Sequence, residues 1–260
     1  MDFTFVKLSK NDGVATILLD RPEKRNALNA TFVAELQNCF NHLKEDDDSK
    51  VVVLKSSGDA FCAGADLKYL QQLQANTYQE NLEDSKQLME LFKTIYTFPK
   101  VVITMVDGPA IAGGCGLATV ADYCFASEES TFGYTESRIG FVPAIVMVFL
   151  LRKIGEGRSK EILLSGEVFK ASRAKDLGMI NSVLPQTELE AFTNDFARKL
   201  IRKSSVQSMA RIKKMVSEIP EMNFNDALSY AAEQNAETRE TEDCKLGIAG
   251  FLNKERITWH

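Results

Sequence analysis

Two short stretches hold residue types whose spacing can do chemistry. IAGGCGLATVADY, residues 111–123, has three glycines within four positions, Gly113, Gly114 and Gly116. Each glycine weakens a helix or strand interior by roughly 0.5–1 kcal/mol relative to alanine, so such a cluster needs a compensating reason. It fits neither GxGxxG nor GxxxxGK[ST], which argues against a nucleotide loop. Two readings remain. One is a structural turn; the other is a backbone N–H that meets a ligand oxygen at a helix start, where a side chain would block the approach. DAFCAGADLKYL, residues 59–70, offers a matching loop in which Gly64 and Ala65 precede Asp66, a residue of N-cap type, and the helical LKYL. Donors near Ala65 and Gly113 converging on one oxygen would form an oxyanion hole, each contributing roughly 3 kcal/mol of transition-state stabilisation in a dry site.

The identity of any acid or base is narrowed by what is scarce. The only histidines are His42 and His260. His42 falls on a predicted helix, residues 31–45, whose apolar positions Phe32, Val33, Leu36, Phe40 and Leu43 recur at 3–4 spacing and leave His42 on the wet face. Ser-His-Asp, Cys-His and HExxH chemistry is therefore disfavoured, and a carboxylate, a lysine or a tyrosine must serve. Cys39, Cys62, Cys115, Cys124 and Cys244 are odd in number and form no CxxC pair, so they read as buried free thiols rather than as disulfides or zinc ligands.

The elements that must position these loops show in the hydrophobic patterning. FTFVKLS and VATILLD flank NDG and predict a hairpin turning at Asp12-Gly13. VVVLKS (51–56) and VVITMVD (101–107) read as buried strands, each running into one of the glycine loops and then a helix start, with a polar helical stretch between them ending near Phe98-Pro99. A strand end followed by a helix start presents unpaired N–H groups and the positive end of a helix dipole. The repeated strand–loop–helix units predict a layered α/β core, and from residue 186 onward the pattern turns helical. Of the 260 residues, 45% are hydrophobic and 26% charged, enough for a sizeable core, and the formal net charge is −5. That balance gives no global field for nucleic acid or anionic membrane. The basic cluster Arg202, Lys203, Arg211, Lys213 and Lys214 reads as a solvated helix face. No apolar run approaches the roughly 18–20 residues of a membrane span and the N-terminus lacks a signal-peptide pattern, so a cytoplasmic protein is expected.

Taken together, RPEKRNALN, AFCAGADL, AIAGGCGLA with its following VADYCFAS, STFGYTESRIGFVPA and GFLNKE resemble the crotonase superfamily, the enoyl-CoA hydratase/isomerase family, in order and spacing over nearly the whole chain. The resemblance implies an α/β fold: a crotonase-like spiral of β-β-α turns over residues 1–185, then a helical C-terminal trimerisation region over 186–260, assembled as a homotrimer or a hexamer of paired trimers. It implies an acyl-CoA thioester substrate whose carbonyl oxygen is held by the N–H groups of Ala65 and Gly113, with no metal and no cofactor beyond the coenzyme A of the substrate. Around it would lie Ala63, Asp66, Leu67, Gly114 and Gly116. Lys24, Arg25, Lys68 and Lys254 would meet the nucleotide phosphates. Phe132, Phe141, Val142 and Pro143 would wall the acyl pocket, while Ile145–Leu151 is read as a buried helix turn or subunit contact in preference to a fatty-acyl tunnel.

The family's hydratases use two glutamates. Here the second is Glu136 in FGYTES, and Gly116 stands at the position of the first. A carboxylate in an apolar pocket has its pKa raised above about 4.3, which makes it a better base near neutrality. Hydratase-type activity, with a methylglutaconyl-CoA-like substrate among those considered, is the leading expectation. The alternative is a single-glutamate 3,2-trans-enoyl-CoA isomerase. A third, from another class, is a non-catalytic acyl-CoA or RNA-binding relative, disfavoured by the retention of Glu136 and both loops and by the acidic pI of about 5.3. The family's dehalogenase pattern is disfavoured too, since Ala144 stands where that chemistry needs an aspartate.

Overall fold

Asp12 and Gly13 both adopt positive φ, 51° and 77°, as a two-residue hairpin turn of the kind matched to strand twist demands. They join β1 (Val6–Asn11) to β2 (Val14–Leu19) in a computed structural model that describes residues 3–259; His260 lies outside the described residues. α1 (Ala30–Lys44) starts where the Asn29 side chain accepts the Phe32 N–H at 2.9 Å, buries the predicted apolar face and leaves His42 exposed. β3 (Val51–Ser56) follows, parallel to β2 with Val14 opposite Val51.

The predicted polar helical stretch is two helices, α2 (Leu67–Ala75) and α3 (Tyr78–Tyr96), because Thr77 begins a capping box with Glu80. α2 buries none of its side chains, and the Tyr69 hydroxyl ties it to Asp84 of α3. β4 (Val101–Val106) is buried along its whole length. The chain then passes through β5 (Ala110–Ile111), α4 (Gly113–Thr119), β6 (Tyr123–Ser127) and β7 (Thr131–Gly133). α5 (Ala144–Ser165), bent at Gly155, β8 (Val168–Lys170), α6 (Ala171–Leu177) and β9 (Ser182–Leu184) complete the core.

One sheet has the order β1-β2-β3-β4-β6-β9 and is parallel apart from the first hairpin; a second has the order β5-β7-β8. The main core lies between the larger sheet, α1, α3 and the elements around the second sheet. A second cluster forms where α7 (Gln186–Lys203) packs Leu189 and Ala197 against Val51, Val53 and Ile103, with Phe192 and Phe196 edge-on to Phe125 at 5.1 and 5.0 Å. The expected division at 185/186 therefore falls just before a helix that shares a core with the sheet.

α8 (Val206–Glu218), α9 (Phe224–Glu240) and α10 (Glu242–Asn253) follow, each N-capped by a side chain: Ser205, Asn223 and Thr241. They leave Ile212, Val216, Phe224, Leu228, Ile248, Phe251 and Leu252 exposed. Lys213, assigned above to a solvated face, is instead half-buried, donating to Asp122 at 2.5 Å and to the Lys100 carbonyl at 2.9 Å, and it anchors α8 to the sheet. Among the described residues no helix is long and apolar enough to cross a membrane.

Arg21, at the end of β2, holds together the loops that follow β2 and β3. Its backbone N–H donates to Asn26 Oδ1 at 2.8 Å, Nη1 to the Ala27 carbonyl at 2.8 Å and Nη2 to Asp66 Oδ2 at 2.7 Å, with the guanidinium over the Phe5 ring. Asn26 in turn donates to the carbonyls of Ser57 and Ala60. Burial acts to raise the Asp66 pKa, but Arg21 and the Lys68 N–H outweigh it and hold the carboxyl below its usual value. Its stabilisation is thus present above about pH 4 and is lost as pH falls through the folded value. Removing one member of a buried pair strands the other, at about 3–5 kcal/mol. Arg21→Leu should lose about that much in urea unfolding, and the Arg21→Leu/Asp66→Asn double variant less; a single-variant loss below about 1 kcal/mol would mean that solvent screens the pair.

Candidate active site

The two glycine loops meet backbone to backbone. Cys62 bridges to Ala110 and Leu28 bridges to Ala65, both in parallel sense. The Leu28 N–H donates to the Gly64 carbonyl at 2.7 Å, and the Leu28 carbonyl accepts the Asp66 N–H at 2.8 Å. In a parallel ladder these bonds use the residues on either side of Ala65, so its own N–H faces the other way. Ala65 is exposed, and among the described residues its N–H has no acceptor. Gly113 is the first residue of α4, where a helix has no acceptor to offer, and its half-buried N–H is likewise free among the described residues.

Gly64 and Gly114 permit that contact. A Cβ on Gly64, at φ +89°, would lie 3.0 Å from the Ala112 Cβ, and one on Gly114 would lie 2.2 Å from the Cys62 carbonyl oxygen. Ala112 sits at φ 51°, ψ −126°, a conformation that costs a non-glycine residue on the order of 1–3 kcal/mol. It is held there by donating to the Gly133 carbonyl at 2.7 Å and accepting the Gly116 N–H at 3.1 Å. The strained residue immediately precedes Gly113, the first residue of α4.

β7 brings in the carboxylate. It runs parallel to β5 with Ile111 opposite Gly133, and the chain continues through Tyr134 and Thr135 into a 3₁₀ turn, Glu136–Ile139. Glu136 is only 8% exposed, and its Oε2 has no hydrogen-bond partner among the described residues. Burial raises its pKa above the ordinary glutamate value, opposed in part by its own backbone N–H. Beneath it, the fully buried Tyr134 hydroxyl lies 3.1 Å from Thr119 Oγ1, which donates to the Cys115 carbonyl at 2.9 Å. Burial pushes the Cys115 thiol up to about 12, and the Cys39 and Cys62 thiols likewise, so none is a ready nucleophile.

Gly116 has no room for a side chain. A Cβ there would lie 2.2 Å from Val146 Cγ1 and 3.0 Å from Phe92 Cε1, both buried. What fills the place of a second carboxylate is therefore apolar, and Val146 and Phe92 were not singled out from the sequence. The one signal in the sequence is that Val146 belongs to IVMVFLL, which reads as a buried helix turn or a subunit contact.

The other expected residues divide. Ala63 donates to the Arg25 carbonyl at 3.0 Å, placing exposed Lys24, Arg25, Leu67 and Lys68 around the Ala65 loop. Pro143 is buried at the start of α5, with Phe141 and Val142 exposed before it. Lys254 stands exposed at the end of α10, which packs on α9. Two expectations are corrected. Asp66 is not free to bind substrate, because its carboxylate caps α2 through the Lys68 N–H at 2.9 Å and pairs with Arg21. Phe132 is enclosed in the core, in register with Ala110 and Phe169, and does not line an open pocket.

Sequence and structure comparisons agree with this architecture. The profile of the enoyl-CoA hydratase/isomerase family matches residues 9–260. A Thermus thermophilus protein with a provisional enoyl-CoA hydratase name is 39% identical over 93% of this chain and 95% of its own. A trans-2-decenoyl-[acyl-carrier-protein] isomerase of Streptococcus mutans is 27% identical over 98% of each chain. The crystal structure of an enoyl-CoA hydratase from Shewanella pealeana superposes with a TM-score of 0.94 at 29% identity, covering 99% of this chain and 96% of that one. A family match spanning nearly the whole sequence, on the same fold, makes this chain a member of the enoyl-CoA hydratase/isomerase family.

Proposed function

We propose that this enzyme hydrates a 2-enoyl-CoA thioester reversibly, with Glu136 as its one acid–base group. The reading rests on one observation above all: a nine-tenths buried carboxylate with an oxygen unpartnered among the described residues, in the 3₁₀ turn that follows β7, the strand paired with β5. The thioester carbonyl oxygen accepts from the N–H groups of Ala65 and Gly113. Glu136 takes a proton from water as the water oxygen bonds to C3, and electrons shift onto the carbonyl oxygen to give an enolate. The protonated Glu136 then returns the proton to C2. Negative charge grows on the oxygen only on the way to the enolate, so the two donors favour the transition state over bound substrate. Lys24, Arg25, Lys68 and Lys254 supply point charges for the coenzyme A phosphates, and the acyl chain runs toward Phe141, Val142 and Pro143. The exposed apolar faces of α8, α9 and α10 would be covered in a trimer or a pair of trimers. The hydratase names of relatives support this choice of reaction.

A second reading, 3-enoyl to 2-enoyl isomerisation, is favoured by the closed position at Gly116. One carboxylate suffices to move a proton from C2 to C4, and a Streptococcus mutans relative is named an isomerase. Separate assays of hydration and of double-bond migration, with 2-enoyl-CoA and 3-enoyl-CoA, distinguish the two; turnover of neither would favour a non-catalytic acyl-CoA binder.

General acid–base catalysis contributes about 10²–10⁴-fold. Glu136→Gln should lower kcat by that factor and leave the dissociation constant of a CoA thioester near wild type; a kcat within threefold of wild type would remove Glu136 from the reaction. The raised pKa has a consequence for stability. Between the ordinary glutamate value of 4.5 and the raised one, the folded state binds more protons than the unfolded, so the group's contribution falls as pH rises through that window. Glu136→Gln should therefore melt above wild type at pH 7, with the difference shrinking as pH falls toward 4.5. A difference that grows toward low pH would mean that the carboxylate is not raised.

A further inference from the structure

Resting on the single-carboxylate reading above, we propose that Val146 determines the partition between hydration and double-bond migration by occupying the place of a second proton-transfer group. Gly113 and Gly116 lie one turn apart on the same face of α4, and a helical side chain leans toward the helix N-terminus. A side chain at 116 would thus lean toward the Gly113 turn, and with the thioester oxygen on the Gly113 N–H, as proposed above, a second acid there would face the acyl C2 and C3. Val146 stands there. The space of a Cβ on Gly116 is 2.2 Å from its Cγ1 and 2.8 Å from its Cβ.

The plug is held in place from several directions. Lys153 Nζ donates to the carbonyls of Thr119 and Ala121 at 2.5 and 3.0 Å, locking α5 across the end of α4. Phe92 backs the same spot, its ring 6.0 Å from Phe149, which in turn lies 5.3 Å from Tyr96. Upstream, the Phe141 N–H donates to the Glu136 carbonyl at 3.0 Å and the Met147 N–H to the Pro143 carbonyl at 2.9 Å. One segment, Glu136 to Val146, therefore sets both the carboxylate and the apolar wall. An apolar space of this kind does not hold water, which needs two to four polar partners. Water thus has to enter on Glu136's side alone, and a proton leaving C2 meets no competing group.

Two measurements test the proposal. The first is steric and needs no activity. Gly116→Ala should lower the melting temperature by several degrees, and adding Val146→Gly should recover most of that loss beyond what the two single changes predict; an unchanged melting temperature for Gly116→Ala would show that Val146 does not fill the site. The second reads the reaction. Val146→Thr keeps the shape and adds a hydroxyl able to hold water, and the Gly116→Glu/Val146→Gly exchange restores a second carboxylate. Each should raise the ratio of hydration to isomerisation kcat/KM, by at least threefold and tenfold respectively. A Val146→Thr ratio equal to wild type overturns the proposal even if the exchange variant does not fold. Failure of the single-carboxylate reading is separately visible as unimpaired turnover in Glu136→Gln.

Discussion

The close approach of two backbone loops is what the remainder of the site rests on. Gly114 lies so near the Cys62 carbonyl, and Gly64 so near Ala112, that a methyl group at either position would force the loops apart. Because the loops end neighbouring parallel strands, β3 and β4, the sheet fixes their spacing before any side chain is considered. The short bridges Cys62–Ala110 and Leu28–Ala65 then fix their depth. Among the described residues, two N–H groups, those of Ala65 and Gly113, are left without acceptors by the same bonds that hold the loops. In the proposed reaction this would be preorganisation by backbone, which needs no reorganisation when charge develops.

The interactions around this contact are asymmetric in kind. On the Ala65 side, polar groups set the geometry: the Arg21–Asp66 pair, the Asn26 amide and the α2 cap. On the Gly113 side, packing sets it: Ala112 strained at positive φ, Gly116 against Val146 and Phe92, and Tyr134 filling the core below Glu136. A buried carboxylate with an unpartnered oxygen costs stability, and the dense apolar packing beneath it offsets that cost. On the proposed role, stability and chemistry pull apart at Glu136, as they do where a group must stay reactive.

Much of this was legible in the sequence because the long elements carry a clear period. The hairpin at Asp12-Gly13, the face of α1, strands β3 and β4 and the helical end all follow from local patterning. The second sheet did not, since β5, β7 and β8 are only two or three residues long and show no alternation. The site divided in the same way. Glycines and an N-cap aspartate mark the loops, but nothing local says that Asp66 is spent on Arg21, 45 residues away, or that Lys213 turns inward to Asp122. Val146 escaped for a further reason: its proposed role is defined by a missing side chain thirty residues earlier, and periodicity records only that it is buried.

In the proposed reaction Glu136 moves a proton at C2 of a thioester whose enolate is held by Ala65 and Gly113. Hydrogen exchange measures this without assuming which reaction follows. In deuterated water, proton NMR of a saturated acyl-CoA incubated with the enzyme should show loss of a C2 proton signal with wild type, and none above background with Glu136→Gln. Exchange undiminished in Glu136→Gln, or absent in a wild type that turns over an enoyl-CoA, would contradict the account.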